Sequence, residues 1–313
     1  MQREGSALHG LGVVILKELS DHVTSIRMRV LEWLVVLFGM LAVFNAIQQV
    51  KETTAEDPFL FLKLFTTAPD SFPFSFVTFL MILVPLVSIG MAFDSINGEH
   101  NRRTLSRILS QPIYRDALLF GKFLAGLFTL SVSLVALWLL VIGLGLFVLG
   151  LPPSGEELAR AFIFLFITIA YAGVWLALAM LFSIVFRSGA TAVLTSLGLW
   201  LFLTLIWPSL SKFVVEAFWP SNDNETILLA SQFFSRLSPA TMYGEVVVAI
   251  LNPTTRTLGL IYLSQLQGAV LGAPMALGES LIIAWPQIVG LIASTILLFV
   301  AGYVIFQRQE VRA

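Results

Sequence analysis

The chain has 313 residues, 58% of them hydrophobic and 12% charged, with a formal net charge of −1 and a mean hydropathy of +0.91. Soluble domains run near ~45–50% apolar and ~25% charged, so this chain lacks the polar surface to coat a globule, and lipid must form part of its solvent. That balance excludes most soluble enzymes, disordered regulators and nucleic-acid partners, and the absence of cysteine excludes disulfide scaffolds, thiolate metal sites and cysteine catalysis.

The first 30 residues do not read as a signal peptide, because the apolar run Leu11 to Leu16 is short and Lys17, Glu18 and Asp21 follow it. Val13, Val14, Leu16, Leu19, Val23, Ile26 and Val30 recur near helical spacing, with Lys17, Glu18, Asp21, Arg27 and Arg29 largely between them. The pattern predicts an amphipathic helix lying in the cytoplasmic interface, its long cations snorkelling towards the headgroups. It reads equally as a solubilising leader or as an elbow that grips the membrane while a bundle moves.

A helix crossing a core of about 30 Å needs about 20 apolar residues. Six segments meet or approach that length: Leu31 to Ile47, Pro73 to Phe93, Phe123 to Leu149, Ala161 to Phe186, Ala190 to Leu210 and Leu281 to Phe306. Their continuous apolarity, without alternation, argues against barrel strands. Leu258 to Leu277 is interrupted by Ser264, Gln265, Gln267 and Pro274 and is expected to be interfacial, not a seventh span. With both termini in the cytoplasm, the inner side carries Arg3, Lys17, Arg27, Arg29, Arg102, Arg103, Arg107, Arg115, Lys122, Arg187, Arg308 and Arg312. The outer side carries Lys51, Lys63, Arg160, Lys212, Arg236 and Arg256, which satisfies the positive-inside rule. The expected fold is therefore a single all-α transmembrane domain over 1–313, multi-pass in the cytoplasmic membrane. It has an amphipathic stretch at 1–30, a cytoplasmic loop at 94–122 and an external helical segment at 211–280.

The loop is the most informative part. Asn97-Gly98 is a breaker, Glu99 suits the positive end of a helix, and Pro112 stops that helix about four turns later. Leu105, Ile108 and Leu109 form an apolar stripe flanked by Arg102, Arg103 and Arg107, a shape suited to another protein's groove. The ordered string Glu99, Thr104, Leu105, Leu109, Ser110, Pro112, Arg115, Gly121 and Lys122 resembles the signature loop of ABC-2-type transporter permeases. It is most similar to the six-span subgroup that contains the nitrous-oxide-reductase maturation permease. One departure is Arg103, where that family usually has Gly before the Thr-Leu pair.

The resemblance implies a coupling helix that docks on a separate cytoplasmic ABC ATPase. Leu105, Ile108 and Leu109 would fill its groove, Arg102, Arg103 and Arg107 would meet its acidic rim, and Glu99 would anchor the end of span two. Thr104, Pro112, Arg115 and Lys122 complete the set. The chain has no Gly-x-x-x-x-Gly-Lys-[Ser/Thr] loop, so ATP and Mg would sit on the partner, with no catalytic, cofactor or metal residue here. Two ATPase copies call for two permease chains, most simply a homodimer. An exporter is expected, or a transmitter of force to an external-side partner. The alternative is a secondary, ion-coupled transporter, disfavoured because Glu32, Asp94 and Glu99 lie only at span edges. In the external segment, Phe233 to Leu237 and Tyr243 to Leu251 are expected to form short helices on the bundle's mouth, as a cap or as a gate.

Overall fold

The structure, a computed structural model, describes residues 10–52, 59–67, 75–105, 113–150, 152–218, 224–258 and 274–309. The chain folds into α1 (Leu11–Thr24), α2 (Ile26–Glu52), a 3-10 turn (Leu60–Leu62), α3 (Lys63–Thr66), α4 (Phe76–Ala92) and α5 (Asn97–Asn101). Then come α6 (Arg115–Leu149), α7 (Gly155–Val185) and α8 (Gly189–Leu201), the last continuing through a π-helical segment (Phe202–Ile206) into α9 (Trp207–Phe218). α10 (Asn224–Ser235), α11 (Pro239–Leu251) and α12 (Leu277–Arg308) follow.

Among the described residues six stretches are long and apolar enough to cross a membrane: Met28–Gln48, Phe76–Asn101, Arg115–Val148, Gly155–Val185, Gly189–Phe218 and Leu277–Arg308. These spans one to six correspond to the six expected segments. The protein is an all-α, multi-pass membrane protein, because in lipid only a helix satisfies its own backbone within one segment. Span three starts at Arg115, eight residues before the apolar run begins. The loop before it is shorter than expected. The expected interfacial stretch falls mostly on residues 259–273, outside the described residues, as do Arg107, Ile108, Leu109 and Pro112 of the loop.

Span four is the central post. Ser154 and Glu157 start it with a capping box, and Tyr171 through Met180 are buried without a break. Its small residues Ala161, Ala172, Gly173, Ala177 and Ala179 let spans two, three and six approach closely. Towards its start, Phe164 meets Phe65 of α3 and Phe76 of span two edge-on, with ring centroids 5.5 and 6.5 Å away.

α11 lies deeper than the mouth position expected from sequence. Tyr243 stacks on Tyr171 at 4.4 Å and 11°, and its hydroxyl is 3.1 Å from Thr168 Oγ1. Tyr171 Oη donates to the Met81 carbonyl of span two at 3.0 Å. Tyr171 is 16 residues into span four, about 24 Å along its axis at 1.5 Å per residue. α11 therefore re-enters the bundle from the end where span four starts. The cause is its composition: Tyr243, Val246, Val247, Ala249, Ile250 and Leu251 are buried, and a helix apolar on nearly every face is driven inside. Ser238, fully buried, caps its inner end.

α1 covers Leu11–Thr24 of the stretch expected to be amphipathic, and its faces are assigned differently. Val13, Leu16 and Val23 point outward, whereas Val14 and Glu18 are buried against span three. Lys17, half exposed, is held by carboxylates in the chain, as described below. The contact is close because residue 121 is glycine: a Cβ there would lie 2.6 Å from Val14 Cγ1 and 2.9 Å from its Cβ. Gly121→Val should push α1 off span three and cost about 1–3 kcal/mol, as overpacking does. The check is a lowered unfolding temperature together with faster protease cleavage in α1.

Candidate functional site

The site is built at the end of the bundle where spans two and four finish. The backbone N–H groups of Ile96 and Asn97 donate to Ser183 Oγ of span four at 3.0 and 3.2 Å. Asn97 Nδ2 donates to the Phe186 carbonyl, and Asn101 Nδ2 to the Arg187 carbonyl at 2.9 Å. These bonds fix α5 as a short continuation of span two across the end of span four.

The expected single helix from Gly98 to Pro112 is interrupted. Thr104 N donates to the Glu99 carbonyl at 2.9 Å, and Arg103 N to the His100 carbonyl at 3.0 Å. This nested pair of bonds is a Schellman stop, whose residue after the cap normally takes the left-handed conformation. That residue is Arg103, with φ of 55°, the one non-glycine with positive φ among the described residues. The departure noted in the sequence thus falls where the backbone favours glycine. Thr104 Oγ1 donates to the same Glu99 carbonyl at 3.1 Å and secures the turn. His100, Asn101, Arg102, Arg103 and Thr104 are exposed and form the tip.

Behind the tip lies a charge cluster. Lys122 Nζ, 4% exposed in its side chain, is 2.8 Å from Glu18 Oε1 of α1 and 2.8 Å from Glu99 Oε1 of α5. Lys17 Nζ lies 2.8 Å from Glu18 Oε1, 3.0 Å from Asp21 Oδ2 and 3.7 Å from Glu99 Oε1. Burial pushes the Glu18 carboxyl upward, but the Lys122 ammonium and then Lys17 outweigh it and hold it below the ordinary range. Burial likewise pushes Lys17 downward, and Glu18, with Asp21 and Glu99, reverses that and raises it. Further along the same face of span three, Thr129 Oγ1 is 3.0 Å from His22 Nδ1, and Ser133 Oγ donates to Glu32 Oε1 at 3.2 Å.

Of the residues singled out in the sequence, Arg102, Arg103 and Thr104 are at the tip and Glu99 braces it. Lys122 is inside the brace. Leu105 is buried within its own chain, so it shapes the loop rather than presenting a side chain. Arg115 caps the last turn of span six, donating to the Gln309 carbonyl at 2.9 Å, where a cation suits the helix dipole.

Sequence reasoning passed over two arrangements at the other end. Arg160, fully buried, gathers four elements, as argued in the Discussion. Arg236 Nε donates to Glu245 Oε2 at 2.8 Å, and Gln287 Nε2 of span six donates to the same oxygen at 2.8 Å. Since α11 re-enters the bundle, this ion pair lies beside a span, ten residues inside the start of span six. Reading the segment as a cap hid it. Among the described residues no group of three or more His, Asp or Glu is placed to hold a metal ion.

Six spans, a braced basic tip and a re-entrant helix make up a helical membrane bundle. The chain matches the ABC-2 family transporter proteins over residues 13–311, and it belongs to that family. It is similar to two curated relatives, each named "Probable ABC transporter permease protein NosY". The one from Pseudomonas aeruginosa is 33% identical over 149 residues, 46% of this chain and 52% of the relative, so that match spans about half of the relative's length. The one from Stutzerimonas stutzeri is 25% identical over 249 residues, 78% of this chain and 82% of the relative.

Proposed function

We propose that the chain is the permease subunit of an ATP-driven ABC transporter, working as an exporter with a separate ATPase docked at the tip. The observation that carries this is the tip itself, exposed and basic, closed at Arg103 and braced through Glu99 and Lys122 to span three and α1. A pull on the tip would reach span two through the backbone, span three through Lys122 and α1 through Glu18. The same reading puts the tip and both termini on the cytoplasmic side of the inner membrane. It gives the complex two ATPase copies, carrying ATP and Mg, and two permease chains, most simply a homodimer. On that reading Ile108 and Leu109 would fill the ATPase's groove, which Leu105, buried in its own chain, would not reach, and Arg102, Arg103 and Arg107 would meet its acidic rim. The re-entrant α11 is the part that would open outward, for cargo or as a lever on an outer-side partner.

The ion-coupled alternative gains one observation, the Arg236–Glu245 pair beside span six. One experiment separates the two readings. The tagged protein is purified gently from its native membrane and its companions are identified by mass spectrometry. A P-loop ATPase at one-to-one stoichiometry is expected. Arg102→Glu with Arg103→Glu should abolish its recovery. Arg103→Gly should keep the helix stop, relieve about 1 kcal/mol of backbone strain, and weaken recovery only by the loss of one charge. Recovery of intact protein without ATPase, even after crosslinking, would overturn the proposal in favour of ion-gradient transport.

A further inference from the structure

The end of the bundle opposite the tip carries a part that the rest of the fold holds at few points. Beyond the π-segment of span five, α9 and α10 pack on one another, and neither makes a comparable contact with the other spans. Phe213, Phe218, Leu229 and Phe233 of this pair are exposed. The pair is an arm, joined to the bundle at two places.

The first joint is in span five. The π-segment Phe202–Ile206 interrupts the helix there, and Pro208, two residues beyond it, brings no N–H to the turn before it. Interruptions of both kinds are where helices bend. The second joint is the turn between α10 and α11. Here Arg236 Nε donates to Glu245 Oε2 of α11 at 2.8 Å, and Gln287 Nε2 of span six donates to the same oxygen at 2.8 Å. Arg236 Nη2 and Gln232 Nε2 both donate to the Leu258 carbonyl, at 3.2 and 2.8 Å. Gln287 directly follows Pro286, the proline inside span six, so these bonds fall beside a third break. The Glu245 carboxylate thus ties the end of the arm to α11 and to span six at once.

Both joints hold unsatisfied polar groups. Thr204 Oγ1 in the π-segment, Thr257 Oγ1 beside Leu258 and Gln287 Oε1 are buried without a hydrogen-bond partner. The Gln287 amide cannot turn over to cure this, because a carboxylate only accepts and its Nε2 must face Glu245. Each such group costs free energy, which a displaced arm would recover by admitting water to it. The arm is therefore drawn away from its seat at both attachments, and the bonds to Glu245 oppose that.

We propose that α9 and α10 swing as one arm about the π-segment, and that Glu245 is the latch that keeps the arm against span six. The swing belongs to this chain alone and does not depend on the ATPase reading.

The chain has no cysteine, so spin labels can be placed freely in the purified full chain in lipid nanodiscs. Labels at the exposed positions 217 and 278 report the arm against span six, and labels at 217 and 233 report the arm's own shape. The unaltered protein should give one dominant distance for each pair. Glu245→Gln keeps the volume but loses the charge that holds Arg236. It should raise a second 217–278 distance about tenfold and leave the 217–233 distance as it was. Gln287→Met removes one of the two bonds, leaves the ion pair in place and should raise the second distance about threefold; it carries the test if Glu245→Gln does not fold. Thr204→Val removes the unsatisfied hydroxyl at the joint and, added to either variant, should lower the second distance about threefold. An unchanged 217–278 distance in the latch variants would overturn the latch. A 217–233 distance that broadened with it would overturn the arm, because a helix pair that melts does not swing. A second distance that Thr204→Val left untouched would overturn the joint. Arg102→Glu with Arg103→Glu should change neither distance while abolishing ATPase recovery, so failure of either reading is seen separately.

Discussion

Arg160→Met should remove about 3–5 kcal/mol of folding stability, the range seen when one partner of a buried charged network is deleted. Its side chain is fully buried. Nε and Nη2 donate to Glu156 Oε1 at 3.0 and 2.8 Å. Nη1 donates to the Ile250 carbonyl at 2.9 Å and to Ser280 Oγ at 3.1 Å, and Nη2 also reaches the Met275 carbonyl. The guanidinium lies over the Phe59 ring at 5.9 Å. One side chain thus ties the start of span four to the end of α11, the start of span six and the segment before α3. Methionine fills the volume but leaves those carbonyls without a donor, each costing about 1–3 kcal/mol. Lysine is no substitute, because one ammonium cannot match a planar fork of five donors. Thermal unfolding followed by size-exclusion chromatography reads the effect. Arg160→Lys should fall between the two, and an unfolding temperature equal to the unaltered protein's in Arg160→Met would show that the hub is dispensable.

The spans were legible because apolar runs of some 20 residues have few other solutions. Their ends were not. Arg115 to Lys122 is polar enough to read as loop, yet it is helical because Arg115 caps span six and Lys122 is neutralised by two carboxylates. The nine-residue run from Tyr243 to Leu251 fits a surface helix or a buried one equally well. What decides is the Tyr171 ring waiting for Tyr243 and the Thr168 hydroxyl beside it, and neither is visible from α11's own sequence. Glu18 and Lys17 read in the sequence as part of a polar face turned to the headgroups. Their direction followed only once Gly121 brought that face against Lys122. Arg103 was the clearest local signal, because a residue where glycine is usual turned out to hold a left-handed turn. Leu105 carried the opposite lesson: an apolar stripe beside arginines looked like a docking surface, but this member of it packs inward.

Lys122→Met should release α1 and the tip from span three. It leaves Glu18 and Glu99 buried at one spot, each oxygen 2.8 Å from the position of the lost ammonium. With only the half-exposed Lys17 left to face them, 2.8 Å from Glu18 and 3.7 Å from Glu99, the loss of the buried cation costs about 3 kcal/mol locally, the low end for a broken buried pair. A spin-label distance between positions 13 and 101 should be narrow in the unaltered protein and broad in this variant. Adding Glu18→Gln and Glu99→Gln to Lys122→Met removes Lys122 together with both its partners, while Lys17 keeps Asp21 at 3.0 Å, and should restore the narrow distance, because replacing a buried pair entirely is often near neutral. The brace should also be flat across neutral pH. The stability from Glu18, whose carboxyl is lowered, is present above the ordinary glutamate value of about 4.3 and is lost as pH falls through its folded value. The stability from Lys17, which is raised, is present below the ordinary lysine value of about 10.4 and is lost as pH rises through its folded value. A distance that broadened between those limits would mean that these ion pairs do not govern the contact. A distance that stayed narrow in Lys122→Met would mean that packing of Val14 on Gly121 alone holds α1, and the charge cluster would lose its place as the link between tip and bundle.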